Sequence, residues 1–280
     1  MVINGQAVIN GQGAVNGNPP ASFVGALDGY SNIVAAYSVR RLRSAYTGNA
    51  LILRRSSDNA ELAFGFLANG DIDAAAITAW LGVANGLVTT WYDQSGNGRH
   101  VVQATADNQP LYVASGPNSK PTLRFDGIND RLRVTFANVA APHHVFSCLK
   151  QNAWVSGRYL FDGGITGQCA IIQFPSSPQL AMAAGGLGTA VDFTTSSYSV
   201  GTFFFTTVAN QYYIRRNGTQ PASAASTVGV ANLGGVTLGC LGGQTGFGNV
   251  DISEWIVFNS PQSNSPLEAN MGACYGIAVV

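Results

Sequence analysis

Side chains able to do acid–base or nucleophilic chemistry are scarce in this sequence. Glu61, Glu254 and Glu268 are its only glutamates. Glu254 falls on the same strand face as Ile252, Ile256 and Phe258, which suits a structural carboxylate. Glu268 stands where it completes a helix capping box. Asp162 and Asp192 are open to a catalytic role, but turn or strand-end roles suit them better. Asp93, followed by Ser and Gly, is placed to organise its own loop as an Asx turn. His143 and His144 are adjacent, so on a strand they point to opposite faces and rarely share a metal. Cys148, Cys169, Cys240 and Cys274 are far apart, lack metal-ligand spacing and read as buried free thiols. No Gly-x-Ser-x-Gly elbow appears. Gly185-Gly-Leu-Gly188 lacks the Lys-Ser/Thr ending of a phosphate loop. No metal and no cofactor is expected.

One stretch offers binding chemistry. Thr90 to His100 reads Thr-Trp-Tyr-Asp-Gln-Ser-Gly-Asn-Gly-Arg-His, a polar loop between strand formers. Trp91, Tyr92, Asp93, Gln94 and Asn97 combine ring faces with amide and carboxylate groups, the set that stacks on and hydrogen-bonds a sugar. Trp91 serves equally well as core. Three arginine pairs, Arg40-Arg41, Arg54-Arg55 and Arg215-Arg216, read most simply as solvated strand ends, with cross-subunit ion pairs as the sharper alternative.

The elements that must position these groups are mostly strands. Ala50 to Arg55, Asn59 to Phe66, Arg131 to Phe136, Val145 to Lys150, Thr202 to Val208 and Val250 to Asn259 carry the clearest strand patterns. Arg216-Asn-Gly-Thr219 is a hairpin turn. Two helices are expected. One lies within Asn69 to Gly82, with Asp71 as cap and Asp73 in the first turn. The other starts at Ser265-Pro-Leu-Glu268 and stops at Gly276. Many short strands and two short helices predict one all-β sandwich over residues 21–280.

Residues 1–20 form a separate piece. Val2-Ile-Asn-Gly-Gln6 recurs as Val8-Ile-Asn-Gly-Gln12 and loosely as Val15-Asn-Gly-Asn18, and the first charge is Asp28. Val2, Ile3, Val8, Ile9 and Val15 are apolar groups without local partners. They predict an extended arm that pairs with a neighbouring subunit or another surface.

Fourteen basic and fourteen acidic residues cancel, and charged residues make up only 10% of the chain. No field steers nucleic acid or an anionic membrane. Few hydrated charges need stripping at a contact, which suits an assembly component or a sugar binder. The N-terminus shows no secretory signal pattern, and no apolar run is long enough to span a bilayer.

Ala45-Tyr-Thr-Gly48, Arg55-Ser-Ser-Asp58, the helix with its acidic start and Tyr92-Asp-Gln-Ser-Gly-x-Gly98 together resemble the catalytic domain of arabinofuranosidase B-type glycoside hydrolases. The resemblance runs, more weakly, from Ala36 to Ile277. It implies a concanavalin A-like jelly-roll β-sandwich. Phe125-Asp-Gly-x-Asn-Asp130 resembles a turn of laminin G-like jelly rolls. Domains that look like this also recur in bacteriophage virion proteins. The family's two catalytic carboxylates would fall near Cys169, in Gly167-Gln-Cys-Ala-Ile-Ile172, and at Gln244, in Leu241-Gly-Gly-Gln-Thr245, and neither residue is an acid. The sequence therefore leads to an expectation of a non-catalytic virion protein: a capsid decoration, cement or head- or tail-fibre component. It would be held through residues 1–20 to capsid or tail proteins and to copies of itself, as a trimer or dimer, after assembly in a bacterial cytoplasm. A glycan-binding module recognising a host-surface glycan is the alternative, and an arabinofuranosidase-like hydrolase comes last.

Overall fold

Alternation of apolar and polar residues along short segments bounded by Gly, Asn and Pro makes strands the cheapest way to bury this chain. The computed structural model describes residues 23–164, 169–208, 211–220 and 232–280, with only the backbone of residue 189. The arm expected from residues 1–20 lies outside the described residues. In chain order the first elements are β1 (Ile33–Ser38), β2 (Leu51–Arg55), β3 (Glu61–Phe64), α1 (Ala74–Leu81), β4 (Gly86–Trp91), β5 (Val101–Val102), β6 (Leu111–Val113), β7 (Thr122–Asp126), β8 (Leu132–Val139) and β9 (His143–Gln151). Then follow β10 (Tyr159–Asp162), β11 (Ala170–Gln173), β12 (Gln179–Ala183), β13 (Leu187–Asp192), β14 (Ser199–Phe205), β15 (Tyr213–Arg216), β16 (Leu233–Leu238), β17 (Asn249–Phe258) and α2 (Asn264–Tyr275).

Among the described residues the pairings between these strands are antiparallel, and they form two branches that meet at β4. In the first branch β15 pairs with β14, β14 with β9, and β9 with β17. The other edge of β17 takes β7 along its first half and β1 along its second, and β7 leads through β6 to Leu87 of β4. In the second branch β13, β12, β11, β10, β16, β8 and β5 follow one another, and β5 reaches Thr90 and Trp91 of β4. β2 and β3 extend the far edge of β4.

The branches face each other across the core. Phe161 of β10 packs on Trp255 of β17 with ring centroids 5.0 Å apart, and Tyr37 of β1 on Trp91 of β4 at 5.8 Å. Each such pair adds about 0.5–1.5 kcal/mol beyond the area it buries. This is the jelly-roll β-sandwich architecture expected from the sequence.

Three local expectations change. Asp73, not Asp71, caps α1: its Oδ1 accepts the Ala76 N–H, while Asp71 pairs with Lys120. α2 begins at Asn264 after Ser263, and Glu268 turns into the molecule instead of closing a capping box. β6 and β13 are strands that the sequence pattern did not single out, each short or Gly-interrupted. The Asn217-Gly218 turn has both residues at positive φ (50° and 84°), the backbone that a tight hairpin requires.

Candidate functional site

The loop after β4 is built inward. Asp93 Oδ1 accepts the N–H groups of Ala36 and Ser95, and its Oδ2 accepts the Ser95 hydroxyl and the Arg99 N–H. The Asx turn read from the sequence is thus present, with three further donors. Gln94 Oε1 accepts the Leu42 N–H, and its Nε2 donates to the carbonyls of Ser38 and Arg40. Asn97 donates to the carbonyls of Ile33 and Val34. Trp91 is fully buried and offers no ring face to a ligand, and Asp93 and Gln94 are buried with it. Tyr92 packs edge-on against His100. Bonding within the chain occupies Asp93, Gln94 and the Asn97 amide nitrogen, so this loop fastens β1 to β4.

The arginine pairs are likewise fastened rather than solvated. Arg40 makes a bidentate pair with buried Glu254, at 2.7 and 2.9 Å, and Glu254 also accepts from Ser38 and Tyr275. Its charge holds the Arg40 guanidinium above its ordinary range, against burial. Arg215 forks onto Glu268, which also accepts from Thr202. Arg54 bonds Gln109 and Asn59, and Arg55 bonds Asp58 and the Trp80 carbonyl. Arg41 and Arg216 reach only main-chain oxygens and a Thr hydroxyl. His143 and His144 are both buried, and burial drives the His144 imidazole down to about 3, so it stays neutral. Among the described residues no group of three or more His, Cys, Asp or Glu is placed to hold a metal ion, and no helix is long and apolar enough to cross a membrane.

A row of polar residues crosses the second branch. Phe161 points into the core, so its neighbour Asp162 points to the outer face. Register carries this row across three more strands: Asp162 lies opposite Thr237, Thr237 opposite Arg133, and Arg133 opposite Val102. Cross-strand partners share a face. Arg133 Nη2 spans the row and donates to the Gly164 carbonyl at 2.9 Å. Asp162 is fully buried, and its Oδ2 accepts the Gly242 N–H at 2.8 Å. That bond ties β10 to the turn Leu241–Thr245, closed by a Leu241 N–H to Thr245 carbonyl bond.

Beside this row opens a cleft of about 510 Å³, lined by Val102, Gln103, Arg131, Arg133, Val134, Thr135 and Gln244. Gly164, whose carbonyl Arg133 binds, packs tightly on β16: a Cβ there would stand 2.5 Å from the Gly235 Cα. Gln244 sits at φ +63° and lines the cleft. Cys169 is fully buried; burial, then the Asp162 charge, push its thiol well above the ordinary range. Cys240 is pushed up to about 12 by burial, with Asp162 adding to it. Neither thiol serves as a nucleophile in that state. Asp162 thus sits between the two positions reached by the sequence reading. Asp192, the other acid considered, lies on edge strand β13, where its carbonyl accepts from Arg216.

Comparison with known proteins defines a class for this stretch of fold. Residues 27–122 match the family model described as the catalytic domain of α-L-arabinofuranosidase B. An α-L-arabinofuranosidase of Hypocrea jecorina is 42% identical over 100 residues, 34% of this chain and 19% of that protein. An arabinofuranosidase/B-xylosidase of Trichoderma koningii is 41% identical over 100 residues, again 19% of its length. The chain thus spans about a fifth of the curated relatives' length, and the stretch matched by the family model ends before Asp162. A solved arabinofuranosidase complexed with arabinofuranosyl-alpha-1,2-xylobiose superposes with a TM-score of 0.69 over 87% of this chain and 63% of its own, at 19% identity. At that identity the likeness is one of fold. The relatives are glycoside hydrolases. They overturn the expectation of a non-catalytic virion component, and with it the reading of this chain as no enzyme. That expectation leaned in part on two missing carboxylates placed by motif alone; Asp162, read as a strand end, is indeed the last residue of β10.

Proposed function

We propose that this chain is a glycoside hydrolase acting on α-L-arabinofuranosyl groups, with its substrate seated in the cleft beside Asp162. The observation that carries the reading is the match of residues 27–122 to an arabinofuranosidase catalytic domain, at 42% identity to one such enzyme. The fold shared with a solved arabinofuranosidase across 87% of the chain supports it.

Glycoside cleavage builds positive charge at the anomeric carbon, which a carboxylate beneath that carbon stabilises, while a proton donor neutralises the departing oxygen and water takes up the glycosyl group. Asp162 is the acid on the cleft's face of the sheet, held by the Gly242 N–H. Gln244, Gln103 and the guanidinium groups of Arg131 and Arg133 supply donors and acceptors around the opening. Such groups fit the hydroxyls of a furanose, whose binding energy orients the bond to be broken. Asp162 lies under the turn that carries Gln244, and the Gly242 N–H fixes its carboxylate on that side of β10.

The test is hydrolysis of 4-nitrophenyl α-L-arabinofuranoside by the full chain, with the β-D-xyloside and β-D-glucoside as controls. Nitrophenol released from the arabinofuranoside above the buffer rate, and from the glucoside only at that rate, is the expected result. Equal background rates on all three, from protein shown to be folded, would contradict the reading.

A further inference from the structure

A second polar cavity, of about 350 Å³, shares no lining residue with the cleft. It is bounded by Phe23, the strand-end arginines, the turn before α1 and the last turns of α2. We propose that it binds a carboxylate-bearing sugar, a uronic acid residue of a glycan.

Charge comes first. Arg40, Arg41 and Lys120 line the cavity against one lining carboxylate, Asp71. Arg40 is neutralised by Glu254 and Lys120 by Asp71. Arg41 has no carboxylate partner among the described residues. Its guanidinium lies over the Phe23 ring, 4.0 Å from the centroid, and bonds only the Ala68 carbonyl, at 3.3 Å. The ring holds the fork in place without cancelling its charge, and a planar fork matches a carboxylate. Gly70 makes this stacking possible: at φ +89°, a Cβ there would stand 2.1 Å from the Phe23 ring.

The amides argue for a sugar rather than a bare anion. Asn270 Oδ1 accepts from Arg40 Nη1 at 2.7 Å, which fixes the amide and leaves its NH₂ to donate. Asn118 Nδ2 donates to the Cys274 carbonyl at 3.0 Å, which leaves its Oδ1 to accept. A fixed donor and a fixed acceptor beside one unpaired cation are complementary to a ring bearing hydroxyls and one carboxylate.

The experiment is calorimetric titration of the full chain with D-glucuronate, D-glucose and acetate. Saturable binding of glucuronate is expected, at least tenfold tighter than either control. Arg41→Met keeps the stem over Phe23 and should weaken glucuronate at least tenfold. Asn270→Asp keeps the acceptor for Arg40 but loses the donor and adds a negative charge, and on an exposed helix position it should also weaken binding tenfold. Asp162→Asn should leave glucuronate affinity unchanged, so the outcome is separate from any loss of hydrolysis. Acetate or glucose binding as tightly as glucuronate would overturn the proposal. So would unaltered affinity in both cavity variants, or no binding at all.

Discussion

Gly242 donates its N–H to Asp162 Oδ2 across 2.8 Å, joining the turn that carries Gln244 to the buried carboxylate of β10. A Cβ at Gly242 would lie 3.0 Å from that oxygen and 3.2 Å from the Gly164 carbonyl. The position therefore has no room for a branched side chain. Gly242→Val should push the turn off Asp162 while leaving the core intact. The expected outcome is at least a tenfold loss of arabinofuranoside turnover with a melting shift of only a few degrees, read by a rate assay and a thermal scan on the same preparation.

Asp126 and Asp130 share one turn, and their bonds are reciprocal. Asp130 Oδ2 accepts the Asp126 N–H, and Asp126 Oδ1 accepts the Asp130 N–H. Burial, then the Asp126 charge, push the Asp130 carboxyl up from 3.8 to about 7. The folded chain keeps a proton there that the unfolded chain releases near 4. The stability this proton contributes is complete below pH 4 and is lost progressively as pH rises through about 7. Urea midpoints between pH 4 and 8 should show this fall, and Asp130→Asn should flatten it. An unchanged slope in the variant would assign the pH dependence elsewhere.

Glu254 is the hub of a buried cluster with Ser38, Arg40 and Tyr275. Removing its charge leaves the largely buried Arg40 guanidinium uncompensated. Glu254→Gln is expected to cost about 3–5 kcal/mol in urea unfolding. A loss below about 1 kcal/mol would mean that the pair behaves as an exposed one.

Asp93 collects four donors, three of them main-chain N–H groups. Asp93→Ala leaves those donors without their acceptor in a buried loop. A loss of about 2–4 kcal/mol in stability is expected, with the affinity of the folded variant for arabinofuranosides unchanged. A selective loss of sugar affinity at full stability would restore this loop as a binding edge.

Much of the fold was legible because strand alternation and turn chemistry are local. The Arg131–Phe136 alternation, the Asn217-Gly218 hairpin and the Gly276 stop of α2 all appear where the pattern puts them. The Asp93 turn was legible for the same reason. The role of Trp91 was not, because one sequence of rings and amides serves a core and a sugar site equally. Only long-range packing on Tyr37 decides between them. Arg40 and Arg215 failed as solvated ends because their acids, Glu254 and Glu268, lie about fifty or more residues away in the chain. The cleft row was also invisible: Asp162, Thr237 and Arg133 come from three separate segments, aligned only by register. Alignment by motif pointed to Cys169 and Gln244, and only the fold shows Asp162, named in the sequence as a possible acid, bonded to the turn that carries Gln244.

The most direct test of the catalytic reading is the steady-state rate on 4-nitrophenyl α-L-arabinofuranoside for the unaltered chain and for Asp162→Asn. Asn retains an oxygen for the Gly242 N–H, so the turn stays in place while the negative charge is lost. The account predicts that kcat falls at least a hundredfold in the variant, with KM nearly unchanged and the thermal midpoint close to that of the unaltered chain. An equal rate in both proteins would contradict the assignment of Asp162 as the carboxylate of the reaction.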